Sequence, residues 1–229
     1  MPEMEQYVDE VKKTLLYKEF QLWRNSFIFS FFVYLLLSIY VYFNWNNYNL
    51  YISNKTFADT AMILIGTSFM FSGLGHFFNF NRFFIYRKYI GIMGFFYALM
   101  HGITSLFLLP ELFPFPEYYL RSNNITAFLF ALISLLILLM MAVISNKFAI
   151  QKLGGKLWRY LLRTGYVAYI FAILHFGIKK YNTWSAWFYH MNGLPPLNLI
   201  VLFFGIFVIG LRLALQISLL LNPNKPIVP

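Results

Sequence analysis

L-G-G-K-L-W-R-Y-L-L-R-T-G-Y-V-A-Y-I-F-A-I-L-H-F-G-I, residues Leu153 to Ile178, starts as a basic, glycine-containing turn and becomes an apolar helix with a histidine near its far end. An imidazole inside a membrane span is costly to leave without a partner, so His175 reads as a ligand or relay group. The partner it needs stands in another apolar stretch, at His101.

Of the 229 residues, 60% are hydrophobic, 22% aromatic and only 11% charged, which excludes a water-soluble domain and defines a membrane protein. The glycines and prolines are scattered, so there is no low-complexity region and no internal repeat. Because cysteine is absent, disulfides, iron–sulfur clusters, a thiolate-ligated haem and a C-x-x-C-H haem attachment are all excluded. Any haem would be held non-covalently. The net charge of +10 does not point to nucleic acid, since the basic residues lie in short clusters between apolar runs.

Residues 3–24 place Met4, Tyr7, Val8, Val11, Leu15 and Leu22 at a helical period among charged residues, predicting an amphipathic helix on the membrane surface. This segment, residues 1–25, is partly acidic and has no small-residue cleavage site, so a removable signal peptide is not expected. Six apolar stretches follow, at Ser26–Phe43, Ala58–Phe78, Tyr89–Leu109, Ile125–Ser145, Leu161–Ile178 and Leu197–Ser218. Each approaches the roughly 20 residues a helix needs to cross the hydrocarbon core. The predicted architecture is all-α, a six-helix transmembrane bundle over 26–221 with a short tail at 222–229. The fifth span is short, and Lys179 and Lys180 are expected to reach towards the head groups at its end.

Alternate connections carry fourteen of the eighteen basic residues, leaving Lys55, Arg121, Lys179 and Lys180 for the other side. The positive-inside rule then puts both termini in the cytoplasm, with a bacterial inner membrane as the expected setting. Trp45, Tyr48, Tyr51, Trp184, Trp187 and Tyr189 read as outer interface anchors, and Trp23, Tyr86 and Trp158 as inner ones. The outer connection Pro110–Asn124, with its three prolines, predicts a cap over the bundle.

Helical rise tests which histidines can meet. His101 lies roughly 21 Å beyond Arg87 on the third helix, and His175 roughly 24 Å beyond Arg159 on the fifth, which runs the same way. The two rings fall at one height in the outer half of the membrane. They fit the axial ligands of a haem; the alternative is a pair of packed histidines bonded to Ser, Thr or backbone groups. His76 lies roughly 15 Å lower than His101 and reads as an interhelical hydrogen-bonding residue, with a cofactor or quinone contact as the alternative. His190 falls in an outer loop. Gly91, Gly94, Ala98 and Gly102 on the third helix, with Gly165, Ala168, Ala172 and Gly177 on the fifth, leave room for a flat macrocycle, but small residues also serve close helix packing.

Two segments carry a family resemblance. Arg87–His101, R-K-Y-I-G-I-M-G-F-F-Y-A-L-M-H, is similar to the basic pair, Leu-Gly-Leu, aromatic run and Leu-His of the ferric-reductase-like transmembrane family. Gln151-Lys152-Leu153-Gly154, Trp158 and Leu174-His175 resemble the same family's basic-Leu-Gly, Trp and distal His. The likeness extends over about residues 58–218 and is strongest to the bacterial branch of haem-binding membrane subunits of periplasmic methionine-sulfoxide reductase systems. It implies that His101 and His175 ligate an outer-side haem b. The family's intermediate histidine, thirteen residues before the distal one, is Leu162 here, and Lys88 stands thirteen residues before His101. The resemblance therefore implies one haem, not two.

The expected role is an electron-transfer subunit rather than a stand-alone enzyme, passing electrons outward. No G-x-G-x-x-G unit follows a strand, so the donor is expected to be a quinol or a flavin reductase. The missing inner haem leaves space for a flavin (FMN or FAD) or a quinone near His76, Trp158, Arg159 and Leu162. The acceptor implied is an extracytoplasmic oxidoreductase or a metal chelate. A haem-free scaffold or assembly factor is the alternative, and a transporter ranks last because the spans show no paired charges or broken helices.

Overall fold

The computed structural model describes residues 2–191 and 193–221, with side chains described from residue 13 onward except at 123. The predicted tail 222–229 and the side chains of Met4, Tyr7, Val8 and Val11 lie outside the described residues. The described residues form nine α-helices in order: α1 Pro2–Trp45, α2 Leu50–Phe78, α3 Arg87–Ile103, α4 Glu117–Leu120, α5 Ser122–Ile144, α6 Lys147–Leu153, α7 Gly155–Arg163, α8 Gly165–His190 and α9 Leu197–Leu221. A 3₁₀ turn precedes α3, and a π-helical turn, Thr104–Leu108, extends it. Among the described residues, six helical segments are long and apolar enough to cross a membrane, so the chain is an all-α, multi-pass integral membrane protein.

Helix α2 occupies the centre: 61% of its apolar span is buried, against 22% or less for the other five. It packs on α3, α9, α1 and α8, and α5 packs on α8. Large apolar side chains of α1, such as Phe27, Phe31 and Leu35, face outward, as they must in a lipid-facing helix. The helix ends follow from local chemistry. Asn49 Oδ1 accepts the Ile52 N–H at 2.9 Å to start α2, and Asn79 ends it in the left-handed region at φ 59°. Gly154 adopts φ 74° and ψ 147°, open to glycine alone, which separates α6 from α7 in the L-G-G turn.

The structure corrects several sequence expectations. The surface segment 1–25 and the first span are one uninterrupted helix to Trp45, since no Gly or Pro occurs after Pro2 to break it. Its residues 19–25 dock on the start of α3: Lys88 Nζ lies 3.9 Å from Glu19 Oε1, Asn25 Nδ2 donates to Tyr86 Oη at 3.3 Å, and Trp23 meets Tyr89 edge to face. The fifth span does not stop at Lys179 and Lys180 but continues to His190, giving a 36-residue segment with a break at Thr164. His190 is thus the last residue of α8, not a loop residue. Trp184 is a core residue rather than an interface anchor, donating its Nε1–H to Asn198 Oδ1 at 2.6 Å and so joining α8 to α9.

Small residues separate into two roles. A Cβ on Gly94 would lie 2.7 Å from Ile65 Cγ1 and 3.0 Å from the Ile65 nitrogen, so α2 and α3 meet here because glycine stands at 94. Gly91 and Gly165 likewise face Ser68 and Met141, whereas Ala98, Gly102 and Ala172 line a cavity. Gly94→Ala is expected to destabilise the detergent-purified protein by about 1–3 kcal/mol, while Gly210→Ala, where the space is open, stays within about 0.5 kcal/mol. Thermal unfolding of the two variants beside the native chain checks the contrast.

Candidate functional site

The polar residues of α2 that cannot face lipid turn inward, and with α3, α5 and α8 they enclose a cavity of about 420 Å³. His101 from α3 and His175 from α8 both line it. The cap expected of the connection Pro110–Asn124 corresponds to Phe113, Tyr118 and Tyr119, which line one end of the cavity. Deeper along the same helices the lining becomes apolar, with Met62, Ile65, Leu135 and Leu138.

Both imidazoles are held by the same device. The His101 Nδ1–H donates to Asn54, 2.9 Å from both its carbonyl oxygen and its Oδ1. The His175 Nδ1–H donates to the Ala127 carbonyl oxygen at 2.8 Å. Since the acceptors are carbonyl oxygens, the proton sits on Nδ1 in each ring, and each Nε2 keeps its lone pair. Neither Nε2 has a hydrogen-bond partner among the described residues. A second shell supports this arrangement: Asn54 Nδ2 donates to Ser105 Oγ at 2.8 Å, and the Tyr119 hydroxyl donates to the Ser105 carbonyl at 3.3 Å. Ser105 lies in the π-helical turn that follows His101, a local widening that recurs at functional sites.

The other candidates lie elsewhere. His76 is buried, and its Nε2 is 3.0 Å from Ser218 Oγ, tying α2 to α9. Trp158 donates its Nε1–H to the Ile144 carbonyl at 2.9 Å, closing the end of α5, while Arg159 is exposed and Leu162 half-buried on α7. His76, Trp158, Arg159 and Leu162 are not part of the cavity wall. Lys179 and Lys180, expected at the head groups, line the cavity instead: Lys179 Nζ donates to Tyr118 Oη and Asn124 Oδ1, each at 2.8 Å.

Sequence reasoning missed Asn54, Ser105 and Asp59. Asp59 is 4% exposed, lines the cavity and leaves Oδ1 without a hydrogen-bond partner. A signal for it existed, because an ionisable residue one position into an apolar span marks a functional region by default. Asn54 gave none, as it precedes the apolar stretch and acts only once α3 has packed.

A multi-pass bundle with two inward-facing imidazoles on one cavity defines the class, and the family follows from comparison. The model of the ferric reductase like transmembrane component matches residues 57–173, and the chain belongs to this family. Its relatives include the protein-methionine-sulfoxide reductase heme-binding subunit MsrQ of Brucella anthropi, 35% identical over 103 residues, 44% of this chain and 44% of that protein. The MsrQ of Rhodospirillum rubrum is 30% identical over 90 residues, 39% of this chain and 43% of its own. The magnetosome protein MamZ of Magnetospirillum gryphiswaldense is 32% identical over 98 residues, 40% of this chain and 14% of its own. The matches thus span less than half the length of these relatives.

Asn54→Ala is expected to lower stability by about 1–3 kcal/mol, because it removes one acceptor from His101 and leaves Ser105 Oγ without its donor. Thermal unfolding in detergent checks this, with Asn25→Ala, which loses two exposed contacts, to Arg24 and Tyr86, as the control expected within about 0.5 kcal/mol.

Proposed function

We infer that the cavity holds one haem b with His101 and His175 as its axial ligands, and that the protein is a membrane electron-transfer subunit. The observation that carries this reading is the pair of Nδ1–H bonds to carbonyl oxygens, which leaves two neutral Nε2 atoms on one cavity. Ligating histidines characteristically donate the other ring N–H to a carbonyl or carboxylate. The cavity volume of about 420 Å³ falls in the roughly 300–1,000 Å³ range of cofactor sites. Family membership and the heme-binding relatives support the same assignment.

A haem with two imidazole ligands supplies one-electron transfer and keeps no open iron position for a substrate. The chain's part is to fix ring orientation through Asn54 and Ala127, to exclude water with Met62, Ile65, Leu135 and Leu138, and to cap the end with Tyr118 and Tyr119. The basic-residue asymmetry supports cytoplasmic termini in a bacterial inner membrane and outward electron flow through the six-helix domain 26–221. The donor would be a quinol or a flavin reductase, and the acceptor an extracytoplasmic oxidoreductase or a metal chelate. A flavin or quinone beside α7 would relay electrons on the inner side, with exposed Arg159 as its charged contact. Trp158 and His76 already spend ring nitrogens on Ile144 and Ser218, so they would offer ring faces.

Oxidised and dithionite-reduced absorption spectra of the purified protein test this reading. About one low-spin b-type haem per chain is expected, lost in His101→Ala and in His175→Ala. A haem-free native protein after expression with ample haem would instead favour the scaffold reading.

A further inference from the structure

The capped end of the cavity carries charges for which the two histidines have no use. Lys55 and Asp59 lie one turn apart on α2, Lys179 and Lys180 are adjacent on α8, and all four line the cavity. Lys180 is within electrostatic reach of Lys55, Lys179 and Asp59. Lys179 spends two of its three N–H groups on Tyr118 and Asn124. Lys55 Nζ sits over the Tyr51 ring, 3.9 Å from its centroid, and neither it nor Lys180 has a hydrogen-bond acceptor among the described residues. Asp59 Oδ1 is buried without a partner.

Three ammoniums and one carboxylate leave a formal surplus of two positive charges in a mainly apolar enclosure. The three lysines are half-buried rather than fully enclosed, and an anion bearing two negative charges among them would balance the formal surplus. The positions narrow the choice. Lys55 follows Asn54, which holds His101, and Lys179 stands one helical turn beyond His175 on the same face, a rise of ~6 Å. Ammonium groups therefore flank both imidazoles at the capped end, while the opposite end is apolar.

We propose that Lys55, Lys179 and Lys180 form a seat for the two propionate carboxylates of the porphyrin, with Asp59 offsetting the third ammonium. This rests on the haem reading above and adds a direction to it: the acidic edge of the macrocycle lies towards Tyr118, and the apolar edge towards Ile65 and Leu138. Lysine recognises each carboxylate through charge-assisted N–H donation, which acts most strongly where water is excluded.

The test compares two porphyrins on the same full-length apo-protein, purified in detergent from haem-depleted cells. Haem b and haem b dimethyl ester, whose carboxylates are masked, are titrated separately and followed by absorbance. The ester is expected to bind the native chain about tenfold to a hundredfold more weakly. In Lys55→Met/Lys180→Met, haem b should fall towards the ester's affinity while the ester itself is little changed, a coupling that general unfolding would not give. Equal binding of both porphyrins to the native chain, each with a low-spin spectrum, overturns the seat but leaves the histidine ligation standing; that is the result if the lysines serve an external dicarboxylate. Binding of neither porphyrin removes the haem reading and the seat together. The comparison on the native chain needs no variant, so a double substitution that fails to fold does not protect the proposal.

Discussion

Hydrocarbon offers no hydrogen bonds, so each polar group within the spans must find its partner inside the protein. This requirement selects α2 as the central helix. Asn54, Thr56, Asp59, Thr60, Ser68 and His76 are all buried on it, more polar burial than any other span carries. Thr56 and Thr60 turn their hydroxyls back to carbonyls one turn earlier. Three others reach outward, Asn54 to His101, Ser68 Oγ to the Arg87 carbonyl at 2.8 Å, and His76 to Ser218, while Asp59 Oδ1 is left without a partner among the described residues. Tyr169 on α8 returns the contact, donating its hydroxyl to the Met62 carbonyl at 3.0 Å. Helix association in lipid lacks a hydrophobic drive of its own, so such bonds and close glycine contacts position the bundle.

The same bonds that assemble the helices prepare the site. An Nδ1–H given to a carbonyl oxygen fixes the ring's rotation and its tautomer at once, so His101 and His175 present Nε2 without a protonation step. The two acceptors also come from two different helices, α2 and α5, each of which packs on both α3 and α8, the helices that bear the rings. Loss of packing between any of these helices would therefore disturb the cavity as well as stability. Capping by Tyr118 and Tyr119 adds a lid whose anchor is partly Lys179, so the ion cluster and the closure of the cavity depend on one another.

How much of this could be read in advance depended on the kind of signal. Apolar runs gave six spans because the bilayer imposes their length, and helical rise brought His101 and His175 to one height because α3 and α8 run the same way. Charge was read less well. The pair Lys179-Lys180 has the form of a span terminus, yet the helix continues past it, and both side chains line a cavity that only the packed bundle creates. Trp184 and Trp187 have the composition of an interfacial belt, but α9 lies close enough to bury Trp184 against Asn198. The join between the surface segment and the first span was placed at a change of composition, whereas a helix ends only at a breaker or a cap, and residues 3–45 hold neither glycine nor proline.

The two ends of the bundle differ in a way that bears on the proposed electron flow. Of the two places where a second pair of imidazoles would stand, one is Leu162, on α7 before the break at Thr164, and the other is Lys88. Lys88 is engaged with Glu19 in fastening α1 to α3, so its position has a structural use that an imidazole ligand would forgo. His76 cannot stand in for either, being bonded to Ser218. Under the proposed haem reading, the described side chains offer one pair of imidazoles, both on one cavity. Leu162 and His175 are thirteen residues apart, which along unbroken helix is a rise of ~20 Å, and the relay proposed beside α7 would divide that step.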